Sequence, residues 1–456
     1  MYKKILIASL ALIAGLASCK KDDPTPSPNP PSTLTIDGAA SSLEFYQLDT
    51  AHLSVAGVAK DAAAKAVWAV NGAKTAEGAT FDFTTAHPGK YEVTLTVDGK
   101  SAKHTYTVAP RFSEGAFLLN EGNFGNETGS LTYIHPSKKL VIEQAYYRVN
   151  GTKLGNVCQD LAFGNDQIYI LSQLGPKNGG EGLLTIARSN SLEKVKVYND
   201  EALAQSTPTH IAVLRDHIYI RTERDGILRG SSEGGFTPIT GTKKALKQRM
   251  AQIGERIFAL TKDNKILMIQ GTQVVRELDL SPAKPSGIAV SHDGKLWVST
   301  TSPNAILKVD PTPDNFVALD THILDKSISA TGPESWQRTT SSAFFAHGDK
   351  LYFTGQSSVI YCHDFATSKT SQVIDVKTID GVGTSANMYY NSLGVDPSTG
   401  ELYYAAFEGY STYNKKNVTM VLKADGTKLL LKEKVNSFPA GFYFIPNAAS
   451  RTGANR

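Results

Sequence analysis

An internal repeat constrains the fold of this chain more than any other feature of its sequence. Six times after residue 112, an apolar segment is followed by a tight polar turn and then by a short segment with a central aromatic residue. The central residues follow one another at intervals of 50, 39, 39, 55 and 51 residues, near the ~40–50 residues of known propeller repeats. They are Tyr169, Tyr219, Phe258, Trp297, Tyr352 and Tyr403. The spacing predicts one four-stranded blade for each repeat.

A seventh repeat is split between the two ends of this region. Residues 439–445 predict an innermost strand with no partner strands after it, whereas 116–119, 130–134 and 140–146 predict three strands that lack an innermost strand. Pairing these segments would complete one further blade and join the two ends of the region. The sequence therefore predicts an all-β chain whose main part is a seven-bladed β-propeller closed by its N- and C-terminal strands.

A smaller β domain is predicted before the propeller. Residues 34–110 alternate apolar and polar residues in short runs, with Trp68 in one run and Tyr91–Val97 in another. Asp98-Gly99 has the residue types of a tight hairpin turn. The pattern resembles a PKD or immunoglobulin-like sandwich, without the cysteines of the antibody type. A spacer, a docking module and a glycan-binding module all remain open as its role.

The N-terminus has the layout of a secretion signal. Lys3 and Lys4 precede a short apolar segment, and Leu16-Ala-Ser-Cys19 places small residues before a cysteine. This resembles the bacterial lipobox, which implies cleavage after residue 18 and lipidation of Cys19. The following Lys20–Asp23 is similar to the export signal of Bacteroidota surface lipoproteins. The resemblance implies a lipid-anchored protein on the outer membrane, exposed at the cell surface.

These patterns divide the chain into five segments. They are a signal peptide (1–18), a lipidated cysteine with a Pro-rich linker (19–33), the PKD/Ig-like domain (34–110), the propeller (112–448) and a C-terminal tail (449–456).

Composition excludes several classes of protein. Lys and Arg number 47 against 43 Asp and Glu, a formal net charge of +4, so the basic excess of a nucleic-acid binder is absent. Three cysteines exclude a disulfide-rich scaffold, and Cys158 and Cys362 are predicted to be two buried thiols on distant blades. No apolar stretch after the N-terminus has the length of a membrane span.

The long loops predict where a ligand binds. In a propeller, the loops between the second and third strands and those between blades open on one face, and here the longest loops fall on that face. Its aromatic rings, neutral amides and few arginines suit a large, flat or polyhydroxylated ligand with amide or phosphate groups. The candidate ligand-binding residues are Asn120, Asn123, Phe124, Gln159, Gln173, Arg221, Arg249, Trp336, Tyr389, Tyr390 and Tyr410, with Gln337 and Tyr413 nearby.

Signals for an enzyme are weak. Residues 230–234 match G-x-S-x-G without its strand-and-helix context and are interpreted as a turn. The ten histidines show no metal-ligand spacing, and His210 is predicted to be a satisfied core or rim residue rather than a metal ligand. We therefore predict no catalytic residues, no metal and no required cofactor. A lyase or a quinoprotein-like oxidoreductase would need carboxylates or histidines gathered at the axis.

Three motifs carry a family resemblance. They are Asn120–Gly125 (NEGNFG), Gly129–Tyr133 (GSLTY) and Asn150–Asp160 (NGTKLGNVCQD). They resemble the YncE-like, DUF5074-type propeller lipoproteins of Bacteroidota, over roughly residues 115–447. Some proteins of that group capture cobalamin at the cell surface and pass it to a TonB-dependent outer-membrane transporter.

The resemblance implies a surface lipoprotein that captures cobalamin or another corrinoid on its loop face for such a transporter. The possible ligand is then a corrinoid, and the partners are the transporter, a small molecule and the outer membrane, with no nucleic acid. Other nutrient ligands, such as a glycan, haem or another chelate, remain open. An adhesion or scaffold lipoprotein that binds glycans or proteins without nutrient capture is the alternative.

Overall fold

The structure is a computed structural model that describes residues 33–39, 44–328, 344–355, 357–387 and 393–446. The chain is mainly β-strand and divides into two compact units. The smaller unit takes most of the residues before Thr105, and the larger takes Ser42–Thr50, Thr84–Lys90 and the residues from Tyr106 onward. Within the described ranges, no helix is long and apolar enough to cross a bilayer.

The N-terminal region forms two antiparallel-rich sheets and one short helix. Strands β1, β3 and β6 form a three-stranded sheet. The other sheet has five strands in the order β2-β8-β7-β4-β5. The elements are β1 (Thr35–Asp37), β2 (Phe45–Tyr46), β3 (Thr50–Ala56), α1 (Lys60–Ala63), β4 (Val67–Val70), β5 (Ala73–Glu77), β6 (Thr80–Thr84), β7 (Gly89–Val97) and β8 (Lys100–Ala109).

Aromatic side chains fill the space between these sheets. Trp68 of β4 is fully buried, its ring lies 5.5 Å from that of Phe81 on β6, and its indole N–H donates to the carbonyl of Gly78 at 2.9 Å. Asp98 and Gly99 join β7 to β8 with φ angles of 49° and 77°. Both residues are left-handed, as a two-residue hairpin turn requires, which confirms the turn predicted from the sequence.

The larger unit contains seven four-stranded antiparallel sheets among its described residues. Each is given from its first strand. Sheet 1 is β36 (Pro439–Phe444), β9 (Ala116–Asn120), β10 (Ser130–His135) and β11 (Leu140–Ile142); sheet 2 is β12 (Asn156–Gly164), β13 (Gln167–Gly175), β14 (Leu184–Arg188) and β15 (Lys194–Tyr198); sheet 3 is β16 (Pro208–Leu214), β17 (His217–Thr222), β18 (Gly226–Ser231) and β19 (Gly234–Pro238); sheet 4 is β20 (Ala251–Ile253), β21 (Arg256–Leu260), β22 (Lys265–Gln270) and β23 (Gln273–Asp279); sheet 5 is β24 (Pro285–Val290), β25 (Leu296–Thr301), β26 (Asn304–Val309) and β27 (Ala318–Ile323); sheet 6 is β28 (Phe344–His347), β29 (Lys350–Thr354), β30 (Val359–Asp364) and β31 (Lys369–Asp375); and sheet 7 is β32 (Leu393–Val395), β33 (Leu402–Phe407), β34 (Asn417–Leu422) and β35 (Lys428–Glu433).

The repeat in the sequence corresponds to the first hairpin of sheets 2 to 7. The central aromatic residues lie on the second strands and are all at most 2% exposed. In several sheets the aromatic residue lies opposite a small residue of the first strand, as in Ala212↔Tyr219 and Gly394↔Tyr403. A small partner leaves room for the ring between neighbouring sheets, which explains why the pattern recurs.

Both ends of the repeat region meet in sheet 1. Strand β36 pairs antiparallel with β9, with Phe442 opposite Leu118 and Tyr443 opposite Phe117. The first strand of each sheet contacts the first strand of the next, and the series returns from β36 to β12. The seven sheets are therefore connected in a closed series through their first strands.

Two helices lie in connections between sheets, α2 (Ala145–Asn150) and α3 (Glu201–Ser206). The strand predicted over 140–146 is shorter than expected, since β11 ends at Ile142. Gln144 then adopts a left-handed conformation with φ of 51°, and α2 begins. Tyr146, the last residue of the predicted strand, is buried as a strand residue would be, but it lies in helix α2.

The two cysteines within the described ranges are free thiols. Cys158 is fully buried, as predicted, whereas Cys362 is only partly buried. The prediction of two buried thiols was therefore wrong for Cys362, because it packs against the core between sheets 6 and 7 without being fully covered by it.

Candidate functional site

The first strands of four sheets share a shift in their pairing register close to their N-terminal ends. The shifts flank Gln159 on β12, Thr209 on β16, Ser286 on β24 and Ala440 on β36. Each of these residues is at most 2% exposed. Such bulges redirect side chains and are common beside functional sites. All four shifts lie at the same end of the first strands, the end that the connections between sheets enter. This end of the first strands forms one level of the fold.

A buried polar cluster lies at this level. Asp160 is 2% exposed; its Oδ1 accepts a hydrogen bond from the Tyr443 hydroxyl at 2.6 Å, and its Oδ2 accepts from the backbone N–H of Ile211 at 2.9 Å. Nε of Arg249 lies 3.4 Å from Oδ1 of Asp160, and its guanidinium carbon lies 4.2 Å from the Tyr443 ring centroid. Tyr443, Asp160 and Ile211 lie on the first strands of sheets 1, 2 and 3. Arg249 lies in the connection that leads into sheet 4, so this cluster ties together sheets that are not neighbours.

The electrostatics of this cluster follow from burial. Burial raises the pKa of Asp160, and the nearby Arg249 guanidinium opposes that rise. Burial also raises the pKa of Tyr443 well above its ordinary value. Gly441 makes the arrangement possible, because a Cβ at this position would overlap Nη2 of Arg249. The guanidinium is thus held between a carboxylate, a ring face and bare backbone.

A second group of charged residues lies where the connections approach this level. Arg221 is 2% exposed, with Nη1 2.9 Å from Oε2 of Glu223 and Nη2 donating to the carbonyl of Ala245 at 3.0 Å. Nζ of Lys247 lies 4.0 Å from Oε1 of Glu223. Burial lowers the pKa of Lys247, whereas Glu121 and Glu223 raise it. The charges in this group therefore balance one another.

Gln159 lies beside that group, and the oxygen of its side-chain amide lacks a hydrogen-bond partner among the described residues. Its Nε2 donates to the carboxylate of Glu121, which is itself 9% exposed. Its Oε1 is buried and has no hydrogen-bond partner among the described residues. A buried amide oxygen without a partner is costly in a folded protein, so this position has capacity for a donor from a ligand or water.

Aromatic rings border the same region. Tyr410 is 42% exposed, and its ring stacks on that of Phe438 with 5.8 Å between centroids. Burial raises the pKa of Tyr410, and the Glu121 carboxylate adds to the rise. Phe124 is 67% exposed, with Nζ of Lys177 5.9 Å from its ring centroid. Exposed rings at the edge of a polar region offer flat apolar surface for a ligand.

A cavity of about 390 Å³ lies beside this region. Its floor is β9 and β10, and its sides are helix α2 and the connection between β35 and β36. Asn120 lines it, is 1% exposed, donates to the hydroxyls of Ser130 and Thr132 and accepts from the backbone N–H of Ser437 at 3.0 Å. Ligand pockets typically occupy ~300–1,000 Å³, so this cavity is of the right size to hold a small molecule or part of a larger one.

The predicted ligand-binding residues fall into three groups. Asn120 and Arg221 are hydrogen-bonded within the protein and Arg249 is ion-paired with Asp160, so these three support the face. Phe124 and Tyr410 are exposed on it, and three further candidates are described. Those are Asn123, whose side chain hydrogen-bonds with Tyr413, Gln173, which is half-buried on β13, and Gln159, whose Oε1 has no partner among the described residues. Trp336, Tyr389, Tyr390, Gln337 and Cys19 lie outside the described residues.

Sequence reasoning did not select Glu121, Lys247 or Tyr443 as site residues. Glu121 lies next to Asn120 in the NEGNFG motif, whereas Lys247 and Tyr443 are brought to the site only by the closing of the sheet series. His210 is fully buried, with Nδ1 3.2 Å from the Thr209 hydroxyl. No group of three or more metal-ligating side chains occurs in the described part of the chain.

Several solved structures match this chain at low sequence identity. A quinoprotein alcohol dehydrogenase-like protein from Bacteroides thetaiotaomicron is 15% identical, with a TM-score of 0.58, and the alignment covers 92% of this chain and 98% of that one. Virginiamycin B lyase from Staphylococcus aureus is 13% identical over 63% of this chain and 90% of its own, with a TM-score of 0.43. The WD40 β-propeller domain of Doa1 is 10% identical over 60% and 82%, with a TM-score of 0.41.

The similarity to the Bacteroides thetaiotaomicron protein concerns the fold alone. No protein with a curated description matches the chain. The family described as a domain of unknown function, DUF5074, matches residues 114–446, which is most of the chain and includes all seven sheets of the larger unit. The chain therefore belongs to the DUF5074 family, and its larger unit is of the β-propeller type.

Proposed function

We propose that the seven sheets are the blades of a seven-bladed β-propeller whose loop face captures a small molecule. The closed series of contacts between first strands and the pairing of β36 with β9 support the blade count. The loop face is the side on which the register shifts, the paired charges and the exposed rings lie. The N-terminal region acts in this proposal as a PKD/Ig-like spacer.

Cobalamin or another corrinoid is the proposed ligand. A corrin ring is broad and flat and carries amide groups around its edge, so it suits exposed aromatic rings bordered by neutral amides. The observation that carries the proposal is the exposed ring of Tyr410 near the Glu121 carboxylate, within a group of charges that are already paired with one another, together with the exposed ring of Phe124 on the β9–β10 loop. Such a surface favours a neutral amide-bearing ligand over a strongly charged one. The family resemblance in the opening motifs points to the same ligand.

The proposed setting is the outer membrane. Lipidation of Cys19 would anchor the protein at the cell surface, where it would pass its ligand to a TonB-dependent transporter. Binding and transfer require no chemical step, so the proposed protein is not an enzyme. Incorporation of labelled palmitate, lost in Cys19→Ser, and protease accessibility in intact cells test the anchor and its orientation.

Calorimetric titration with cyanocobalamin and with cobinamide tests the ligand. The full mature chain carrying Cys19→Ser, to keep it soluble, is titrated with each compound. We expect saturable binding that weakens about 10- to 100-fold in Tyr410→Ala, because loss of a buried aromatic contact costs ~1–3 kcal/mol.

Tyr147→Ala is the matched control, since Tyr147 is similarly exposed at 45% but lies on α2. It should leave corrinoid binding unchanged. Absence of heat with both compounds at micromolar protein would refute the corrinoid proposal. Equal weakening by both variants would refute the assigned position on the face.

A further inference from the structure

The cavity beside the loop face has features that the corrinoid proposal does not use. We propose that it is a separate binding site for a neutral carbohydrate, of one or two pyranose units. The inference does not rest on the proposed corrinoid function, since it concerns different residues. It rests on the rigidity of the cavity, the balance of its charges, its uncommitted amides and one exposed ring.

The floor and one side of the cavity are fixed by internal hydrogen bonds. Oε1 of Glu127 accepts from the Tyr413 hydroxyl at 2.6 Å, and Oε2 accepts from the Ser437 hydroxyl at 3.0 Å. The Thr132 hydroxyl donates to the carbonyl of Val435 at 2.8 Å. These bonds join β10, the β9–β10 loop and the connection into β36. The cavity therefore exists before any ligand binds, which lowers the entropic cost of binding.

The charges that line the cavity cancel. Glu127 and Glu143 provide two carboxylates, and Lys153 and Lys434 provide two ammonium groups. The carboxylate oxygens of Glu127 are occupied by the hydroxyls of Tyr413 and Ser437. A charged ligand therefore gains little electrostatic binding energy from this lining. A neutral ligand rich in hydroxyl groups does not depend on such a contribution.

The rim offers hydrogen-bonding groups that the protein leaves unused. The side chains of Asn126, Asn178 and Asn414 line the cavity, are exposed and make no hydrogen bond within the described part of the chain. Deeper in, Asn436 is 5% exposed, and its Oδ1 is without a hydrogen-bond partner among those residues. Carboxamides both donate and accept, which matches the mixed donor and acceptor character of sugar hydroxyls.

One aromatic side chain completes the site. Tyr147 lies on α2, lines the cavity and is 45% exposed, so part of its ring is available to a ligand. A pyranose presents a flat face of C–H groups together with a ring of hydroxyls. An exposed tyrosine beside several amides can therefore contact the apolar face of the sugar while the amides bind its hydroxyls.

Saturation-transfer NMR and calorimetry on the full mature chain with Cys19→Ser test the inference. The probes are maltose, cellobiose, lactose and N,N′-diacetylchitobiose, with glucuronic acid and inorganic phosphate as charged comparators. We expect saturable binding of at least one neutral disaccharide and weaker or no binding of the charged probes. Tyr147→Ala should weaken that binding at least tenfold, and Tyr147→Phe should retain it because the ring remains.

Tyr410→Ala is the matched control for position, and Asn414→Ala is a second variant that leaves α2 intact. Tyr410→Ala should leave sugar binding unchanged, and Asn414→Ala should weaken it several-fold. No saturable binding of any neutral probe at millimolar concentration would overturn the inference. Binding that neither Tyr147→Ala nor Asn414→Ala alters, or that phosphate matches, would also overturn it. Corrinoid binding is measured in its own titration. The corrinoid proposal and the sugar proposal can therefore be refuted independently of each other.

Discussion

Removing the guanidinium of Arg249 tests whether the buried cluster holds the first strands together. In Arg249→Met the aliphatic length is kept, but Asp160, at 2% exposure, loses the cation 3.4 Å from its Oδ1. Breaking a buried ion pair from one side costs about 3–5 kcal/mol. Asp160 keeps the Tyr443 hydroxyl and the Ile211 N–H, so we expect a loss near 3 kcal/mol at neutral pH.

The pH dependence of that loss has a definite sign. Burial already raises the pKa of Asp160, and Arg249 is the largest influence that lowers it. Without Arg249 the folded-state pKa rises further. A raised pKa contributes stability that is present at low pH and lost as pH rises through the folded-state value. The deficit of Arg249→Met relative to the wild type should therefore shrink as the pH is lowered.

Urea unfolding followed by near-ultraviolet circular dichroism measures the deficit. The companion variant is Arg249→Met with Asp160→Asn, which removes the buried charge while leaving an amide that can exchange hydrogen bonds with Tyr443 and Ile211. This double variant should regain at least half of the lost free energy of unfolding. A single variant within about 0.5 kcal/mol of the wild type, or a double variant no more stable than the single, would refute the reasoning.

Three further outcomes are expected. Gly441→Ala should lower the free energy of unfolding by about 1–3 kcal/mol, because the new methyl group overlaps the guanidinium of Arg249; Gly441→Ala combined with Arg249→Met should lose less than the sum of the two changes in urea titrations. Burial and a neighbouring imidazole lower the pKa of His363, so its stabilising effect is present above its unfolded pKa and lost as pH falls. His363→Gln should therefore reduce the drop in unfolding free energy between neutral pH and about pH 5, and an unchanged drop would contradict this. Burial raises the pKa of both thiols, but Cys158 is fully buried whereas Cys362 is partly exposed, so Ellman's reagent should modify Cys362 faster in the native protein; equal rates would contradict the burial argument.

Several elements of the fold follow from short stretches of sequence. The first hairpins of six sheets appear as an apolar segment, a turn and a central aromatic residue, because side-chain alternation and turn chemistry act over fewer than about ten residues. The Asp98-Gly99 turn can be predicted from the sequence for the same reason. The 140–146 segment was misjudged because Tyr146 is buried from a helix, and burial alone does not distinguish a strand from a helix in so short a run.

The candidate site was less accessible from the sequence. The predicted loop residues include Phe124 and Tyr410, which the structure leaves exposed, but also Arg221, whose donors bond to Thr209 and Ala245. Whether a polar side chain faces a ligand or supports a neighbouring strand depends on partners from other sheets. The sequence shows the residue type and its loop, but not those partners.

The sequence by itself determined the repeat, the hairpins and the split seventh repeat, since each depends on local spacing and on the alternation of side chains. The tertiary structure alone decided that Asp160 and Tyr443, 283 residues apart, share a hydrogen bond, and that Arg249, from the connection into sheet 4, lies against both. It also decided that the β9–β10 loop, α2 and the connection into β36 enclose a cavity. These contacts exist only once the series of sheets has closed, because closure brings side chains from distant parts of the chain within hydrogen-bonding distance.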